Sequence, residues 1–186
     1  MEKIIIGVTG EIACGKGTVA KYIVEKYGAD SYRFSTMLRD VLKRLHIDES
    51  RDTMQRLSTI LRQTFGEDIL AKVMSSDAEE SKSNIIVVEG IRRLADIKYL
   101  QALPHFKLFY VEVDMQKRYE RIIKRGENQD DNTKTFEEFQ KDHERETELQ
   151  IKDLKQHADF VVENGGTLEE LHYQIDKIMA ECQNGR

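Results

Sequence analysis

The chain has 186 residues, of which 39% are hydrophobic and 34% charged, and its net charge is −5. This length suffices for one domain with a complete core and leaves little room for a second. The negative charge argues against a broad surface for nucleic acid or anionic membrane, so any bound anion must be held locally. No stretch approaches the ~18 apolar residues of a membrane span, so a soluble protein is expected.

The cysteine content is low, with Cys14 and Cys182 alone, and the five histidines are scattered. Two cysteines without zinc-like spacing are typical of a reducing compartment and give no sign of a disulfide framework or a structural metal. The apolar start lacks the flanking charge and cleavage pattern of a signal peptide. A cytoplasmic protein is therefore expected, and its oligomeric state is left open.

Five short runs rich in β-branched or aromatic residues are each followed by a helical pattern. They cover residues 3–9, 31–35, 84–90, 107–114 and 158–164. Apolar runs that alternate with helices are typical of strands buried on both faces of a parallel sheet, with right-handed crossovers. The pattern predicts an α/β fold of three layers, with five parallel strands and helices on both faces.

The first strand leads into GVTGEIACGKGT, residues 7–18, which has the parts of a phosphate-binding loop. Gly10, Gly15 and Lys16 precede a helix predicted from Gly17 to about Lys26. A glycine turn, a row of backbone N–H groups, a lysine and a helix N-terminus together favour phosphate. The alternative is a chance turn between strand and helix, and the full spacing argues against it.

The loop differs from the usual GxxxxGKS or GxxxxGKT, because Gly17 follows the lysine and the hydroxyl arrives at Thr18. This GKGT form resembles that of adenylate kinase and other P-loop (Walker A) nucleoside monophosphate kinase-like enzymes. The resemblance implies ATP and Mg²⁺, with the metal held mostly by phosphate oxygens and water. The residues then expected at ATP are Gly10, Glu11, Ala13, Cys14, Gly15, Lys16, Gly17 and Thr18, with Thr18 also near the metal. Cys14 is expected to pack as a small residue, the alternative being a reactive thiol whose pKa the helix N-terminus lowers.

The segment FSTMLRDVL, residues 34–42, resembles the adenylate kinase stretch that binds the acceptor phosphate, with two residues missing. By that match Arg39 is the phosphate-binding arginine. Ser35 and Thr36 either cap the helix or contact the acceptor. The long spacer 36–80 is accordingly interpreted as an acceptor-binding helical insertion. Within it, the stretch 53–69 resembles deoxynucleoside monophosphate kinases, which makes Gln55 and Arg62 possible contacts, although a helix face explains them equally well.

The stretch IIVVEGIRRLADIKYL, residues 85–100, resembles the kinase strand that ends in an acid, glycine and arginine. The resemblance implies that Glu89 acts on the metal through water and that Gly90 lets the acceptor approach the backbone. Either Arg92 or Arg93 then holds the acceptor phosphate. Salt bridges at a surface helix start are the alternative. Ile97 stands where adenylate kinase reads its base with glutamine, so the acceptor base is open.

The region of about 115–157 is interpreted as a lid, and its polar part, 126–139, is the best candidate for a flexible element. Spacing places Arg118, Arg121 and Arg125 on one helical face, from which arginines of related kinases reach the transferring phosphate. A solvated basic face is the alternative. Arg145 is a second lid candidate. The segments 141–149 and 158–171 resemble archaeal predicted nucleotide kinases, whose fold cradles adenine at Asn164 and Gly165.

Three functions remain after these observations. The leading one is a kinase that transfers the γ-phosphoryl group of ATP to a small nucleotide, most simply a (deoxy)nucleoside monophosphate. A kinase of a hydroxyl acceptor, such as dephospho-CoA kinase, favours an aspartate after the second strand, where this chain has Phe34, Ser35 and Thr36 and the nearest acid is Asp40. A nucleotide-binding switch is the third, because the loop alone serves many functions.

Overall fold

The computed structural model describes residues 3–125, 134–142 and 146–184. Within these ranges, five strands form one parallel sheet in the order β2-β3-β1-β4-β5. The strands are β1 Ile4–Thr9, β2 Asp30–Arg33, β3 Ile85–Glu89, β4 Phe106–Glu112 and β5 Phe160–Glu163. The predicted five-stranded parallel sheet is confirmed.

Helices follow every strand. They are α1 Lys16–Tyr27, α2 Phe34–Arg44, α3 Arg51–Phe65, α4 Ile69–Glu80, α5 Leu94–Ile97, α6 Met115–Arg125, α7 Phe136–Asp142, α8 Glu146–Asp153 and α9 Leu168–Asn184. The spacer 36–80 thus contains most of α2 and all of α3 and α4. In the lid interval, residues 126–133 and 143–145, including Arg145, lie outside the described residues, so the lid stays a prediction. None of the helices described has the length and apolar character needed to cross a membrane.

The two faces of the sheet are covered by separate hydrophobic cores. Side chains of β1 alternate between them, so that Ile6 and Val8 pack with α1 and α9 while Ile5 packs with α2, α4 and α5. Strands buried on both faces need apolar residues at successive positions, which explains the unbroken IIVV and III runs. The three-layer arrangement expected from the sequence is confirmed.

The end of the second strand differs from its prediction. β2 ends at Arg33, and α2 begins at Phe34, so Ser35 and Thr36 lie in the first turn of the helix. The N-cap is Arg33, without a side-chain cap, and the prediction that Ser35 and Thr36 cap α2 is wrong. β2 ends where its partner strand ends, because Arg33 lies opposite Glu89, the last residue of β3, and the next residue, Phe34, begins α2.

Helix α3 is held differently from the other long helices. It has no fully buried residue, and Met54, Leu57 and Leu61 are only partly buried against the second core. Its start is fixed by Ser50, whose hydroxyl accepts a hydrogen bond from the Thr53 N–H at 3.3 Å. The inner side of α3 is therefore left to form the wall of a cavity.

Candidate functional site

The glycine-rich loop between β1 and α1 follows the path that phosphate binding requires. Gly10 has φ 141°, and a Cβ there would lie 2.4 Å from the carbonyl oxygen of Val111, so only glycine fits. α1 begins at Lys16 after Gly15. Gly17 lies within α1, and the N–H of Thr18 donates to the Gly15 carbonyl at 3.0 Å. The displaced hydroxyl of Thr18 consequently stands in the exposed first turn of the helix.

Lys16 folds back over this loop. Its Nζ donates to the carbonyl oxygens of Gly10 at 2.6 Å and Glu11 at 2.8 Å. The side chain is half-buried and belongs to neither hydrophobic core. The ammonium is thus held where anionic oxygens entering the loop would meet it, by bonds that such oxygens can replace.

Two arginines of α6 support the loop from behind. Arg118 is buried, donates through Nε to the Val113 carbonyl at 3.1 Å, and pairs through Nη2 with Glu11 Oε2 at 3.2 Å. Arg121 donates to the carbonyls of Asn164 at 2.6 Å and Cys14 at 3.4 Å. The side chain of Glu11 is therefore engaged in holding the loop. A role for Arg121 at a transferring phosphate stays a prediction, and the side chain of Arg125 lies outside what the structure describes.

Asn164, after β5, also acts on the loop. Its side chain is 7% exposed, and Nδ2 donates to the Cys14 carbonyl at 2.8 Å. A Cβ at Gly15 would lie 2.1 Å from that nitrogen, so this approach requires glycine there. The sequence reasoning assigned Asn164 and Gly165 to the adenine and missed the loop contact, for which a strand separated by 150 positions gives no local signal. Gly165 accepts a hydrogen bond from Lys117 Nζ at 2.7 Å through its carbonyl oxygen.

Cys14 packs inside the loop as a small apolar residue. It is fully buried, and burial raises the pKa of its thiol, although Lys16, 3.7 Å away, acts in the opposite direction. The alternative of a thiol with a lowered pKa is therefore wrong, because the desolvation outweighs the neighbouring charge.

Glu89 ends β3 directly beside Val8 of β1. Its Oε1 accepts hydrogen bonds from Ser31 Oγ at 2.9 Å and from Arg33 Nε at 2.8 Å. Among the described residues, no group of three or more histidine, cysteine, aspartate or glutamate side chains is placed to hold a metal. The carboxylate of Glu89 and the hydroxyl of Thr18 are hard oxygen donors, which suit Mg²⁺ when phosphate and water complete its coordination.

A cavity of about 590 Å³ lies between α3 and the segment after β3. Of the residues predicted for the acceptor, Ser35, Gly90, Arg92 and Arg93 line it, as do the possible contacts Gln55 and Arg62, whereas Thr36 and Arg39 do not. Arg39 donates instead to Ser35 Oγ at 3.3 Å. The charged residues that line the cavity are Arg51, Arg62, Arg92, Arg93 and Asp96.

The four arginines of the cavity fall into two pairs. Arg62 and Arg93 both face Asp96, at 3.8 and 3.4 Å. The guanidinium groups of Arg51 and Arg92 make no hydrogen bond or ion pair with any residue in the described part of the chain, and both side chains are exposed. Among the described residues that line it, the cavity therefore has four arginines and one carboxylate, Asp96.

The cavity and the loop lie at the same edge of the sheet. β1 and β3 are neighbours, and the Thr9 hydroxyl donates to the carbonyl of Ile91 at 3.0 Å, directly joining the two segments. Ligands of open parallel sheets bind at this carboxyl edge. Sequence reasoning missed Arg51 and Asp96. Asp96 had a local signal, since an acid three residues after the N-cap residue, here Arg93, is typical of a helix N-terminus, whereas nothing distinguishes Arg51 from any exposed helical arginine.

The sequence matches one protein family and is similar to several archaeal proteins. Residues 9–140 match the AAA domain family AAA_17. A UPF0200 protein of the archaeon Methanothermobacter thermautotrophicus is 27% identical over 180 residues, which cover 96% of this chain and 90% of the relative. UPF0200 protein MJ1399 of Methanocaldococcus jannaschii is 28% identical over 183 residues, covering 97% and 91%. The predicted resemblance to archaeal proteins is confirmed.

Two solved structures share the fold. TT1252 from Thermus thermophilus superposes with a TM-score of 0.63 at 17% identity, covering 97% of this chain and 98% of the other. Shikimate kinase from Bacteroides thetaiotaomicron gives 0.58 at 13% identity, with coverage of 97% and 98%. With the family match over most of its length, the chain belongs to the AAA domain family AAA_17, and it shares the three-layer fold of these two structures.

Proposed function

We propose that this protein is an ATP-dependent kinase that transfers the γ-phosphoryl group to a (deoxy)nucleoside monophosphate. The observation that carries the proposal is the cavity beside the phosphate loop, in which the guanidinium groups of Arg51 and Arg92 have no ion-pair partner among the described residues. Guanidinium groups bind phosphate through two parallel hydrogen bonds. Two adjacent sites for phosphate suit a donor and an acceptor that both carry it.

The loop holds the donor. Backbone N–H groups of Gly10 to Thr18 surround the phosphates, and Lys16 stabilises charge on the β and γ phosphates as the bond to the leaving oxygen lengthens. Asn164 and Gly165 lie beside the adenine. Glu89, at the end of β3, and Thr18 are the residues that would hold Mg²⁺ bound with ATP, Glu89 through water, and the metal would supply neutralisation of phosphate charge. Arg121 and Arg125 are the arginines proposed to act on the transferring group.

The cavity holds the acceptor. Arg92 contacts the acceptor phosphate, since its guanidinium has no partner in the described chain, whereas Arg93 is held by Asp96 and lies 3.7 Å from Glu67. Gly90 lines the same cavity and has φ 88°, a left-handed backbone conformation that favours glycine. Ser35 lines the same cavity, and Arg39 on α2 acts on it only through its hydrogen bond to the Ser35 hydroxyl.

A phosphate acceptor also fits the described lining of the cavity, which offers no carboxylate free to act as a base. Asp96 is the carboxylate among the described residues that line the cavity, and it is buried against two arginines. The strand end where a hydroxyl kinase favours aspartate is Arg33, and Asp40 is exposed on α2. A hydroxyl must lose its proton to react, whereas a phosphate is already an anion.

A coupled assay of ADP release tests the proposal. The protein is incubated with ATP, Mg²⁺ and each of the ribo- and deoxynucleoside monophosphates, with dephospho-CoA and shikimate as hydroxyl acceptors. We expect one or a few monophosphates to stimulate ADP release with equal formation of the nucleoside diphosphate, identified by mass. Stimulation by a hydroxyl acceptor alone would assign the hydroxyl reaction, and slow ATP hydrolysis that no acceptor stimulates would assign a nucleotide-binding switch; either result overturns the proposal.

A further inference from the structure

Asp96 lies in α5 and is among the most buried carboxylates of the described chain, with 5% of its side chain exposed. Its Oδ2 accepts hydrogen bonds from the backbone N–H groups of Arg92 at 3.0 Å and Arg93 at 3.1 Å. The carboxylate therefore fixes the turn that follows Gly90 and presents the Arg92 side chain to the cavity.

The second oxygen of Asp96 faces two guanidinium groups. Oδ1 lies 3.4 Å from Nη2 of Arg93 and 3.8 Å from Nη2 of Arg62. Arg62 comes from α3 and also donates to Ser58 Oγ at 3.2 Å and to the Glu67 carbonyl at 2.8 Å. One carboxylate thus joins α3 to the edge of the sheet.

Burial of the Asp96 carboxylate costs desolvation free energy, which argues that its position contributes to the function of the cavity. Burial raises the pKa of Asp96 from its ordinary value, while hydrogen bonds and the charges of Arg93 and Arg92 oppose that shift. Well-packed apolar groups hold helices together at lower cost than a buried charge. α3, however, has no fully buried residue, so polar contacts have a larger share in fixing its position.

We propose that Asp96 is the positioning residue of the acceptor cavity: its carboxylate holds Arg62 and Arg93 in place and so keeps α3 in register with Arg92, which contacts the acceptor's phosphate. That the phosphate belongs to a mononucleotide rests on the function proposed above. The positioning role itself requires only that the cavity binds a phosphate group.

Simple electrostatics makes the opposite forecast, so the sign of one measurement decides. If Asp96 were only a negative charge among arginines, its removal would raise the positive potential and tighten anion binding. If it positions the arginines, its removal leaves them without a common partner, and the ordering that a bound phosphate then requires weakens binding.

The decisive variant is Asp96→Asn, because the amide oxygen still accepts the two backbone N–H groups while the NH₂ group faces the guanidiniums. Calorimetry without ATP, using 5′-mononucleotides and, separately, inorganic phosphate, measures the affinity. We expect about tenfold weaker binding, as for the loss of a charge-assisted contact. The matched control is Asp68→Asn, which removes an aspartate bonded to Tyr99 and Lys98 outside the cavity and should change affinity less than about twofold.

A second variant, Arg62→Gln, separates positioning from folding. It should weaken binding similarly, and the double variant should lose little more than either single one, because the two residues act together. Affinity for an ATP analogue should stay unchanged in all variants. Unchanged or tighter phosphate binding in Asp96→Asn overturns the proposal, as does an additive double variant; if Asp96→Asn does not fold, unchanged binding in Arg62→Gln overturns it. If the wild-type protein binds inorganic phosphate but no mononucleotide, the proposed acceptor is wrong and the positioning role of Asp96 can still hold. If it binds neither phosphate nor a mononucleotide, both proposals are wrong.

Discussion

Lys16 and Arg92 are prepared for phosphate in different ways. The ammonium of Lys16 is held by two carbonyl oxygens of its own loop, whereas the guanidinium of Arg92 is exposed at the cavity. A lysine is a compact charge that exchanges partners readily, and an arginine offers a planar fork that grips two oxygens. The two residues therefore suit a donor whose charge shifts during reaction and an acceptor that must be oriented.

Replacement of the loop lysine tests the donor site. Lys16→Ala should abolish phosphoryl transfer and leave the domain folded, because the side chain supports neither hydrophobic core. Initial rates with ATP and the best acceptor, together with a thermal melt followed by circular dichroism, measure both effects. Turnover within about tenfold of the wild type would refute the assignment of the loop, since loss of one electrostatic contact to the transition state commonly costs 10²–10³.

A matched pair of arginine variants tests the acceptor site. Arg92→Lys keeps the charge and loses the fork, and should lower kcat/KM for the acceptor about ten- to a hundredfold with ATP affinity unchanged. Arg39→Lys should have a smaller effect, of about threefold to tenfold, because Arg39 reaches the cavity only through Ser35. Steady-state kinetics and direct ATP titration distinguish the cases. A loss of ATP affinity in either variant would place that arginine on the donor side.

At the scale of elements, the loop depends on the neighbouring strands and helices. α6 supplies Arg118 and Arg121, and the end of β5 supplies Asn164, so that backbone carbonyls of the loop have side-chain donors behind them. Such donors hold the loop in one conformation, which phosphate binding requires because several backbone N–H groups must converge on the same phosphate oxygens. The helix α1 alone would align its first turn but not the preceding residues.

The contribution of β5 can be measured with Asn164→Ala. This change leaves the Cys14 carbonyl with only its 3.4 Å hydrogen bond from Arg121, which should lower the free energy of unfolding by about 0.5–1.5 kcal/mol and weaken ATP binding several-fold. Urea denaturation and ATP titration give the two values. The matched control is Gln174→Ala, which removes comparable hydrogen bonds to Glu163 on the exposed side of β5 and should leave ATP binding unaltered. If both variants weakened ATP binding equally, support of the loop by the Asn164 side chain would not explain the effect.

At the scale of the whole molecule, one sheet shares its two faces between two cores. Leu108 lies in the core with α2 and α4, and Leu171 lies in the core with α1 and α9; both are almost fully buried. Because the same strands contribute to both cores, damage to either one should be felt across the sheet. That the chain forms one domain, as its length suggests, stays a prediction.

Truncation of each core tests this coupling. Leu108→Ala and Leu171→Ala should each destabilise the protein by about 2–5 kcal/mol, the usual cost of a buried leucine. Circular dichroism in urea should show one transition that shifts as a whole in both variants. Leu168→Ala, at an exposed position of α9, is the control and should change stability by less than about 0.5 kcal/mol. A second transition in either core variant would show that the two faces unfold separately.

The sequence by itself determined the sheet, the order of strands and helices, and the loop. These features are local, because apolar runs, glycine spacing and a lysine before a helix are visible in neighbouring residues. The sequence also predicted that Gly90, Arg92 and Arg93 form one segment of the acceptor site, but it did not show which of the two arginines binds the acceptor phosphate. The choice of Arg92 rests on the ion pairs of Arg93 with Asp96 and Glu67, which depend on where α3 and α4 pack.

Only the tertiary structure decided which distant groups meet. Asn164 reaches Cys14 across 150 positions, Arg33 pairs with Glu89, and Arg62 meets Asp96. Each contact satisfies a buried or charged group, and that demand arises only after the chain has packed. A sequence shows which residues can form such contacts, but the partner of each is set by the neighbours that the fold brings within a few ångströms.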